Sequence, residues 1–299
     1  MERLRLRLYE IMCGMARRGW LGWMPSGLFL RLQYFLKLGR VLHLKRPQLY
    51  NEKLQWIKLH DHKPEYITYV DKLAVRDYVR AQIGEQHLIP LIASYDSVDE
   101  IDWDALPDRF VIKCTHGSSS NIIVTDKSKL NIERAQAKLR AWMKRNWYPQ
   151  GREWPYLHVK PRIIVEQFIG AEDGTVPFDY KFMCFEGEPT YVIVDADRYT
   201  KHTRNFYDPN WVKQDMFNRH PNIPYDVPRP PKLDEMLQIA KALCQGIHHI
   251  RIDLYLVGDT IYFGEMTFFH GGGVEVFRPR SFEQHMGDLI QLPTDKGTL

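Results

Sequence analysis

The chain has 299 residues, 44% of them hydrophobic and 26% charged, with a formal net charge of +4. At roughly 100–200 residues per domain this allows about two domains or one large one, and the composition excludes long-range disorder, a collagen repeat and a disulfide scaffold. No run reaches the ~18 apolar residues of a transmembrane helix, and no apolar core leads to a small-residue cleavage site.

Taken in chain order, residues 1–46 come first as a basic helical extension. They hold ten Lys or Arg against Glu2 and Glu10, a net +8, which leaves −4 for the remainder. Trp20, Trp23, Phe29, Tyr34 and Phe35 lie in the same stretch. Such a segment suits an anionic membrane surface, or a helical cap whose apolar side docks on the core. Nucleic acid is not expected, because the body is acidic and no recognised nucleic-acid motif is present. Residues 51–59 and 65–83 read as helices, the second carrying Ile67, Val70, Ala74, Val75, Tyr78 and Val79 at helical spacing. Ile89–Tyr95 reads as a strand and Asp99–Leu106 as a short helix. Phe110–Cys114 and Ile122–Thr125 are strands around the small-residue loop His116–Asn121. Asn131–Asn146 is a helix and Arg162–Ile169 a buried strand. Phe178–Phe185 and Pro189–Val194 form a hairpin. Residues 198–231 read as a long polar, proline-rich loop. Leu233–Ile247 is a helix, and Ile250–Val257 with Ile261–Phe268 form a second hairpin before the glycine loop His270–Gly273. Cys13, Cys114, Cys184 and Cys244 form no CxxC pair and read as buried thiols in a reducing cytoplasm.

The last hairpin carries the most chemistry. Pairing about Asp259 sets Asp253 opposite Glu265 and Arg251 opposite Thr267. Alternation then puts Arg251, Asp253, Tyr255, Phe263, Glu265 and Thr267 on one face, and Ile250, Ile252, Leu254, Leu256, Tyr262, Met266 and Phe268 on the other. Two opposed carboxylates about 4.5–5.5 Å apart at Cβ repel unless a cation lies between them. Mg²⁺ suits the pair, since it takes one or two carboxylates plus phosphates; the alternative is that Arg251 simply screens both acids. Lys113 ends an apolar strand just before Gly117, Ser118, Ser119 and Ser120, whose backbone N–H groups suit phosphate. Neither a Walker A motif nor a GxGxxG fingerprint is present. Glu166, Gln167, Phe168 and Ile169 end another strand, followed by Glu172, Asp173 and Lys181. Asp195 and Asp197 form a DxD-like segment, as in metal-dependent glycosyltransferases. Arg198, Lys201, His202 and Arg204 cluster behind it and suit an anionic sugar acid.

In this order the pieces resemble the ATP-grasp superfamily. Arg251-Ile252-Asp253, Gly264-Glu265-Met266-Thr267 and Gly271-Gly272 look like the Arg-x-Asp … Asn-Glu-x-Asn … Gly segment of D-alanine–D-alanine ligases. Asn51–Trp56, Asp71–Val79 and Phe263–Phe268 look like the TupA-like group, over roughly residues 47–285. The resemblance implies an α+β ATP-grasp fold that holds the nucleotide between two α+β subdomains. It divides the chain into the extension 1–46, an α/β region 47–109, a small subdomain 110–170 with the phosphate loop, and a C-terminal subdomain 171–299.

It further implies ATP and Mg²⁺, with two ions expected. Asp253, Glu265 and Thr267 would bind metal, and Arg251 and Lys113 would serve catalysis. Lys72, Lys113, Lys181, the 117–120 loop, Glu166 and the hinge 167–169 would bind nucleotide, with Glu172 or Asp173 at ribose. Arg198, His202, Arg204, His270 and Gly272 would face substrate. The expected activity is amide formation through an acyl phosphate, between a hexuronic acid of a capsular polysaccharide or its precursor and an amino acid or amine. The expected location is cytoplasmic, with peripheral contact at the inner membrane face through residues 1–46. The competing expectation is a glycosyltransferase using Asp195 and Asp197.

Overall fold

The computed structural model describes residues 2–170, 176–196 and 202–293. The extension forms α1 (Glu2–Arg17) and α2 (Ser26–Leu38). Their inner sides bury Met12, Ala16, Phe29, Leu30 and Tyr34 in a small core with Leu42 and Val274. Polar clamps fix them to the body. The buried Arg152 donates to the carbonyls of Leu21 and Met24, Gln33 Nε2 donates to the Gln150 carbonyl, and Arg40 makes a two-pronged contact with Glu283.

Next come α3 (Tyr50–His60), α4 (Glu65–Val70) and α5 (Val75–Ile83). The single helix expected over 65–83 is two, because Asp71 is extended and its Oδ1 accepts from the N–H groups of Leu73 and Ala74. A carboxylate in that position starts a new helix rather than continuing the old one. The break leaves Lys72 outside both helices, with its N–H on the Thr115 carbonyl.

The first sheet is built from β1 (Leu91–Tyr95), β2 (Phe110–Cys114), β3 (Asn121–Val124) and β4 (Ile163–Gln167), in the antiparallel order β1-β4-β2-β3. Asp99–Leu106 holds only one 3-10 turn, Val98–Glu100, where a short helix was expected. Between β3 and β4 run α6 (Ile132–Met143), capped by the Asn131 side chain, and the single turn α7 (Tyr148–Gly151). Ala135 and Leu139 of α6 pack on Phe110, Ile112, Ile163 and Val165.

The second sheet has β5 (Asp179–Phe185), β6 (Glu188–Ala196), β7 (Thr203–Tyr207), then α8 (Leu233–Leu243), and finally β8 (His249–Val257) and β9 (Thr260–Thr267), before the terminal α9 (Arg280–Asp288). Its order is β7-β6-β5-β8-β9. One face carries Phe182, Ile252, Leu254 and Met266 into a core shared with Met236, Ile239, Ala240 and Leu243 of α8. The opposite face is polar and buried. β7 lies within the stretch expected to be loop. Its sequence, Thr-Arg-Asn-Phe-Tyr, has no clean apolar alternation, and its pairing comes from β6 on one side and a folded-back segment that contributes the Pro221 carbonyl on the other. The four cysteines are free and buried.

Candidate active site

The β8–β9 hairpin has a two-residue turn, Gly258-Asp259, since Val257 pairs with Thr260. A one-residue bulge at Gly264 offsets that shorter turn. A Cβ there would lie 3.0 Å from both the Asp253 carbonyl oxygen and the Tyr255 ring, so glycine allows the chain to pass. Turn and bulge cancel, and Asp253 pairs with Glu265 and Arg251 with Thr267. Between turn and bulge the register differs from the expected one. Phe263 pairs with Leu254, is buried in the apolar core and leaves the polar face, while Tyr262 comes opposite Tyr255.

Arg251 lies between the two acids. Its Nε and Nη2 donate to the Asp253 oxygens at 2.6 and 2.8 Å, and Nη2 also donates to Glu265 at 2.9 Å. Thr267 Oγ1 donates to the same Glu265 oxygen, and Lys72 Nζ stands 3.8 Å from the other. The acids are thus compensated, not bare. Burial alone would raise the Glu265 carboxyl, yet Lys72, Arg251 and Lys181 push it down to about 2. Arg251 Nη1 also reaches His270 Nδ1 at 3.0 Å, and His270 Nε2 stands 3.1 Å from Glu275.

A polar row continues across the sheet. Lys181, paired with Asp253 in the ladder, contacts Asp179 and stands 3.3 Å from Asp253 and 3.5 Å from Asp195. Asp195 receives Nε and Nη2 of Arg204 and lies 2.9 Å from His202 Nε2. Asp195 is 3% exposed and surrounded by Arg204, Lys181 and His202. Arg204 belongs to a strand, is buried, and is committed to Asp195 rather than free in a loop for an anionic sugar. Glu172, Asp173, Asp197, Arg198 and Lys201 lie outside the described residues.

Lys113, at the end of β2, points its amine at Glu166 of β4, 2.6 Å away, and Glu166 is also held by Arg76 of α5 at 3.1 Å. The 115–120 loop follows directly. Lys72 Nζ donates to the Gly117 carbonyl, so this lysine links the loop to Glu265 on the second sheet. A Cβ on Gly117 would fall 1.9 Å from Trp147 Nε1, and only glycine fits there. Gln167 is exposed at the end of β4, while Phe168 is buried under the guanidinium of Arg109; Ile169 comes just beyond the strand. Gly272 belongs to the glycine loop, which α3 holds: Gln55 Nε2 donates to the carbonyls of Gly272 and Gly273, and Lys58 Nζ to those of Gly151 and Gly272.

Sequence reading missed Arg76, Trp147, Gln55, Lys58 and Asp179. Nothing in the local sequence marks Gln55 and Lys58, which α3 buries along with Asn51 and Glu52. Among the described residues no group of three or more His, Cys, Asp or Glu side chains forms a ready metal cage. The donor set fits a cation shared with phosphates, with Asp253 and Glu265 supplying the protein oxygens.

Two antiparallel sheets, one with a lysine before a small-residue loop and the other with facing carboxylates, make the architecture of an ATP-grasp protein. The family described as TupA-like ATPgrasp matches residues 52–291, and the chain belongs to that family. Among solved structures, D-alanine–D-alanine ligase from Bacillus anthracis in complex with ATP is 12% identical, over 67% of this chain and 54% of that one, with a TM-score of 0.39. The Helicobacter pylori D-alanine–D-alanine ligase is 12% identical, over 81% and 69%, at 0.42. The ATP-grasp ligase PsnB, complexed with a phosphomimetic variant of its minimal precursor, Mg and ADP, is 10% identical, over 80% and 63%, at 0.42. The chain thus spans about half the length of the Bacillus anthracis ligase, and likeness at this level assigns no residue role. No curated protein matches the chain.

Proposed function

We propose that this protein is an ATP-dependent ligase that joins a sugar acid, a hexuronate of a capsular polysaccharide or its precursor, to an amino acid or other amine. The observation that carries the reading is the grouping of Arg251, Asp253 and Glu265 on one face, linked through Lys72 to the loop that follows Lys113. In the proposed reaction a carboxylate oxygen of the sugar acid attacks the γ-phosphorus and ADP leaves. The amine nitrogen then attacks the acyl carbon, the C–O bond to phosphate breaks, and the amine gives up a proton. Lys72, Lys113 and Lys181 neutralise phosphate oxygens, and the 117–120 loop orients them. Arg251 stabilises charge on the transferring group, as preorganised cations do in a water-poor site. The hinge 167–169 would take adenine.

Asp253 and Glu265, with Thr267 beside them, would hold Mg²⁺, and two ions are proposed. Bound there, the metal would neutralise charge on the phosphates. In this reading Arg251 shifts from the carboxylates toward the phosphoryl group when metal and nucleotide arrive.

The test is incubation with ATP, Mg²⁺, glucuronic acid and a panel of amino acids. ADP release that needs both partners, with a product heavier by the amine less water, is expected. Release of UDP from a UDP-sugar without ADP formation would replace the ligase with a transferase.

The site is proposed to work at the inner face of a membrane. No helix among the described residues is long and apolar enough to cross one. The extension instead exposes Leu4, Leu8 and Ile11 on α1 and Leu28, Leu32 and Phe35 on α2, each set one face of its helix, with Trp20 and Trp23 exposed in the turn between. Arg3, Arg7, Arg17, Arg18 and Arg31 are exposed around them. Apolar residues and tryptophan beside arginine complement an anionic lipid surface.

A further inference from the structure

A cavity of about 670 Å³ adjoins the glycine loop. Its wall includes Gln33 and Lys37 of α2, Ser118 of the phosphate loop, and Gly272. The volume is within the ~300–1,000 Å³ of sites that enclose small ligands. Lys37 and Arg219 on the wall are matched by two acids, Glu153 and Glu275, so net charge does not select what enters.

The two acids have opposite surroundings. Glu275 is committed: its Oε2 accepts from Asn218 Nδ2 at 2.8 Å and stands 3.1 Å from His270 Nε2. Burial alone would raise its carboxyl, but His270, Arg204 and Arg251 hold it down to about 2. A carboxylate stabilised in this way is a weak base. The Glu153 side chain, by contrast, makes no hydrogen bond and no ion pair among the described residues. It is only partly buried, and neither of its oxygens is sealed off. Burial pushes its carboxyl up, and Lys58, whose amine is committed to the carbonyls of Gly151 and Gly272, offsets this only in part. Where surroundings drive two carboxylates apart in pKa, the raised one is suited to proton transfer.

The position of Glu153 agrees with such a role. A Cβ on Gly272 would lie 3.7 Å from its Oε1, so the carboxylate borders the glycine loop. The Tyr156 phenol, on the same wall, lies in the field of Glu153, Glu265 and Arg251 together. Glu153 therefore shares a cavity with the phosphate loop and a phenol with the facing acids of β8 and β9.

We propose that Glu153 is the proton acceptor for the amine in the ligation step, an assignment that rests on the ligase reading. The amine enters by the cavity as an ammonium ion and loses one proton to water. Its nitrogen attacks the acyl carbon, and the C–O bond to phosphate breaks with its electron pair going to phosphate. The proton shed by the nitrogen in that step passes to a Glu153 oxygen and then to water. Glu153 has no part in the earlier attack of the carboxylate on the γ-phosphorus, so the two half-reactions can be separated.

The experiment uses the full chain with ATP, Mg²⁺ and glucuronic acid, and two kinds of nucleophile. Glycine, L-alanine, L-glutamate and L-lysine are ammonium ions at neutral pH. Hydroxylamine is largely unprotonated there and traps an acyl phosphate as a hydroxamate without help from a base. Wild type is expected to form the hydroxamate, and an amide with at least one of the four amino acids. Glu153→Gln is expected to lose at least ~100-fold in amide formation, the lower end of what a positioned base supplies, with hydroxamate formation, ATP affinity and thermal melting close to wild type. Should Glu153→Gln melt early, Glu153→Asp decides instead. It keeps the charge near Lys58 but draws the oxygens back, and is expected to lose roughly 10–100-fold in amide alone, as a ~1 Å misplacement does. Amide formation at the wild-type rate in the variant that folds overturns the inference. So does an equal fall in amide and hydroxamate, which would make Glu153 a structural counter-charge to Lys58 and keep the ligase. Hydroxamate from wild type with no amide from any of the four also overturns it, while keeping the phosphoryl-transfer step. Neither product from wild type would remove the ligase reading and the base with it.

Discussion

Arg251 illustrates how a residue in this site serves both fold and chemistry. It is buried, makes three close carboxylate contacts, and its guanidinium is held well above its ordinary pKa: burial opposes the charge, but Asp253 and Glu265 outweigh it. Removing one partner of a buried pair costs about 3–5 kcal/mol where it leaves an uncompensated charge. Burial and the neighbouring acids Asp179 and Glu265 push the Asp253 carboxyl up despite Arg251 and Lys181, and Arg251 keeps Glu265 without it, so Asp253→Asn is expected to cost at least ~100-fold in turnover and little in urea unfolding. Glu265→Gln should cost a similar factor in turnover. A Glu265→Gln variant with wild-type turnover would remove it from the site. Two strands away in the same polar row, burial alone would raise the Asp195 carboxyl, but Arg204, Lys181 and His202 hold it far below the usual range. The stability it contributes is complete above the unfolded value of ~3.9 and is lost as pH falls toward the lower folded value. Asp195→Asn is expected to destabilise by about 3 kcal/mol at pH 7, with the difference from wild type shrinking in melts taken below pH 4. A constant difference across that range would mean that the pair does not contribute through charge.

At the scale of elements, the two sheets meet through connectors whose placement depends on small residues. The loop after β2 lies against Trp147, and a Cβ on Gly117 has no room. Gly117→Ala should displace the loop and weaken ATP binding, about 10-fold or more by fluorescence titration, while the core under α6 melts near wild type. Unchanged ATP affinity would move the phosphate site elsewhere. The α3 helix plays the corresponding part for the glycine loop. The segment Asn51–Trp56 that resembles the TupA-like group earns its place through contacts: Asn51 Nδ2 donates to the Glu275 carbonyl and to Glu283, Glu52 accepts from the backbone of Gln48 and Leu49, and Gln55 holds the loop. Its helical spacing was visible in sequence. That its polar face grips a loop more than 200 residues later was not, because nothing local to α3 carries that partner's identity.

For the whole molecule, the extension joins three roles on different sides of the same two helices. Its inner residues pack on the body, Gln33 and Lys37 line the cavity, and its outer residues are apolar and basic. Sedimentation with vesicles containing anionic lipid is expected to pull the protein down, and neutral vesicles are not. Each arginine near the surface contributes about 1 kcal/mol, and binding should weaken as salt shortens the ~10 Å screening length at 0.1 M. Replacing Trp20 and Trp23 together by alanine should reduce binding without lowering the melting temperature, as both rings are exposed. Equal pelleting with neutral vesicles would leave charge out of the interaction.

The facing of Asp253 and Glu265 was legible in the sequence because strand alternation has a period of two, and a hairpin with a clear turn leaves few registers. The actual route, a shorter turn cancelled by a bulge at Gly264, was not legible, since only the three-dimensional fit beside Asp253 and Tyr255 shows why a glycine is needed there. The lysine-then-small-residue pattern around Lys113 and the family resemblance were likewise present in local order of residues. β7 was hidden because Thr203, Arg204 and Asn205 precede its two aromatics without apolar alternation, and its partners, β6 and the Pro221 carbonyl, come from other segments. The break at Asp71 turned on one side-chain cap against a helical pattern that ran straight through it. Sequence alone determined that Arg251, Asp253, Glu265 and Thr267 share a face, but not where Tyr262 and Phe263 fall. The tertiary fold decided which charges neutralise one another, because that depends on contacts between residues far apart in the chain: Arg251 already occupies the space between the acids, Arg204 is spent on Asp195, and the first helices bring Gln33 and Lys37 to a cavity beside the glycine loop.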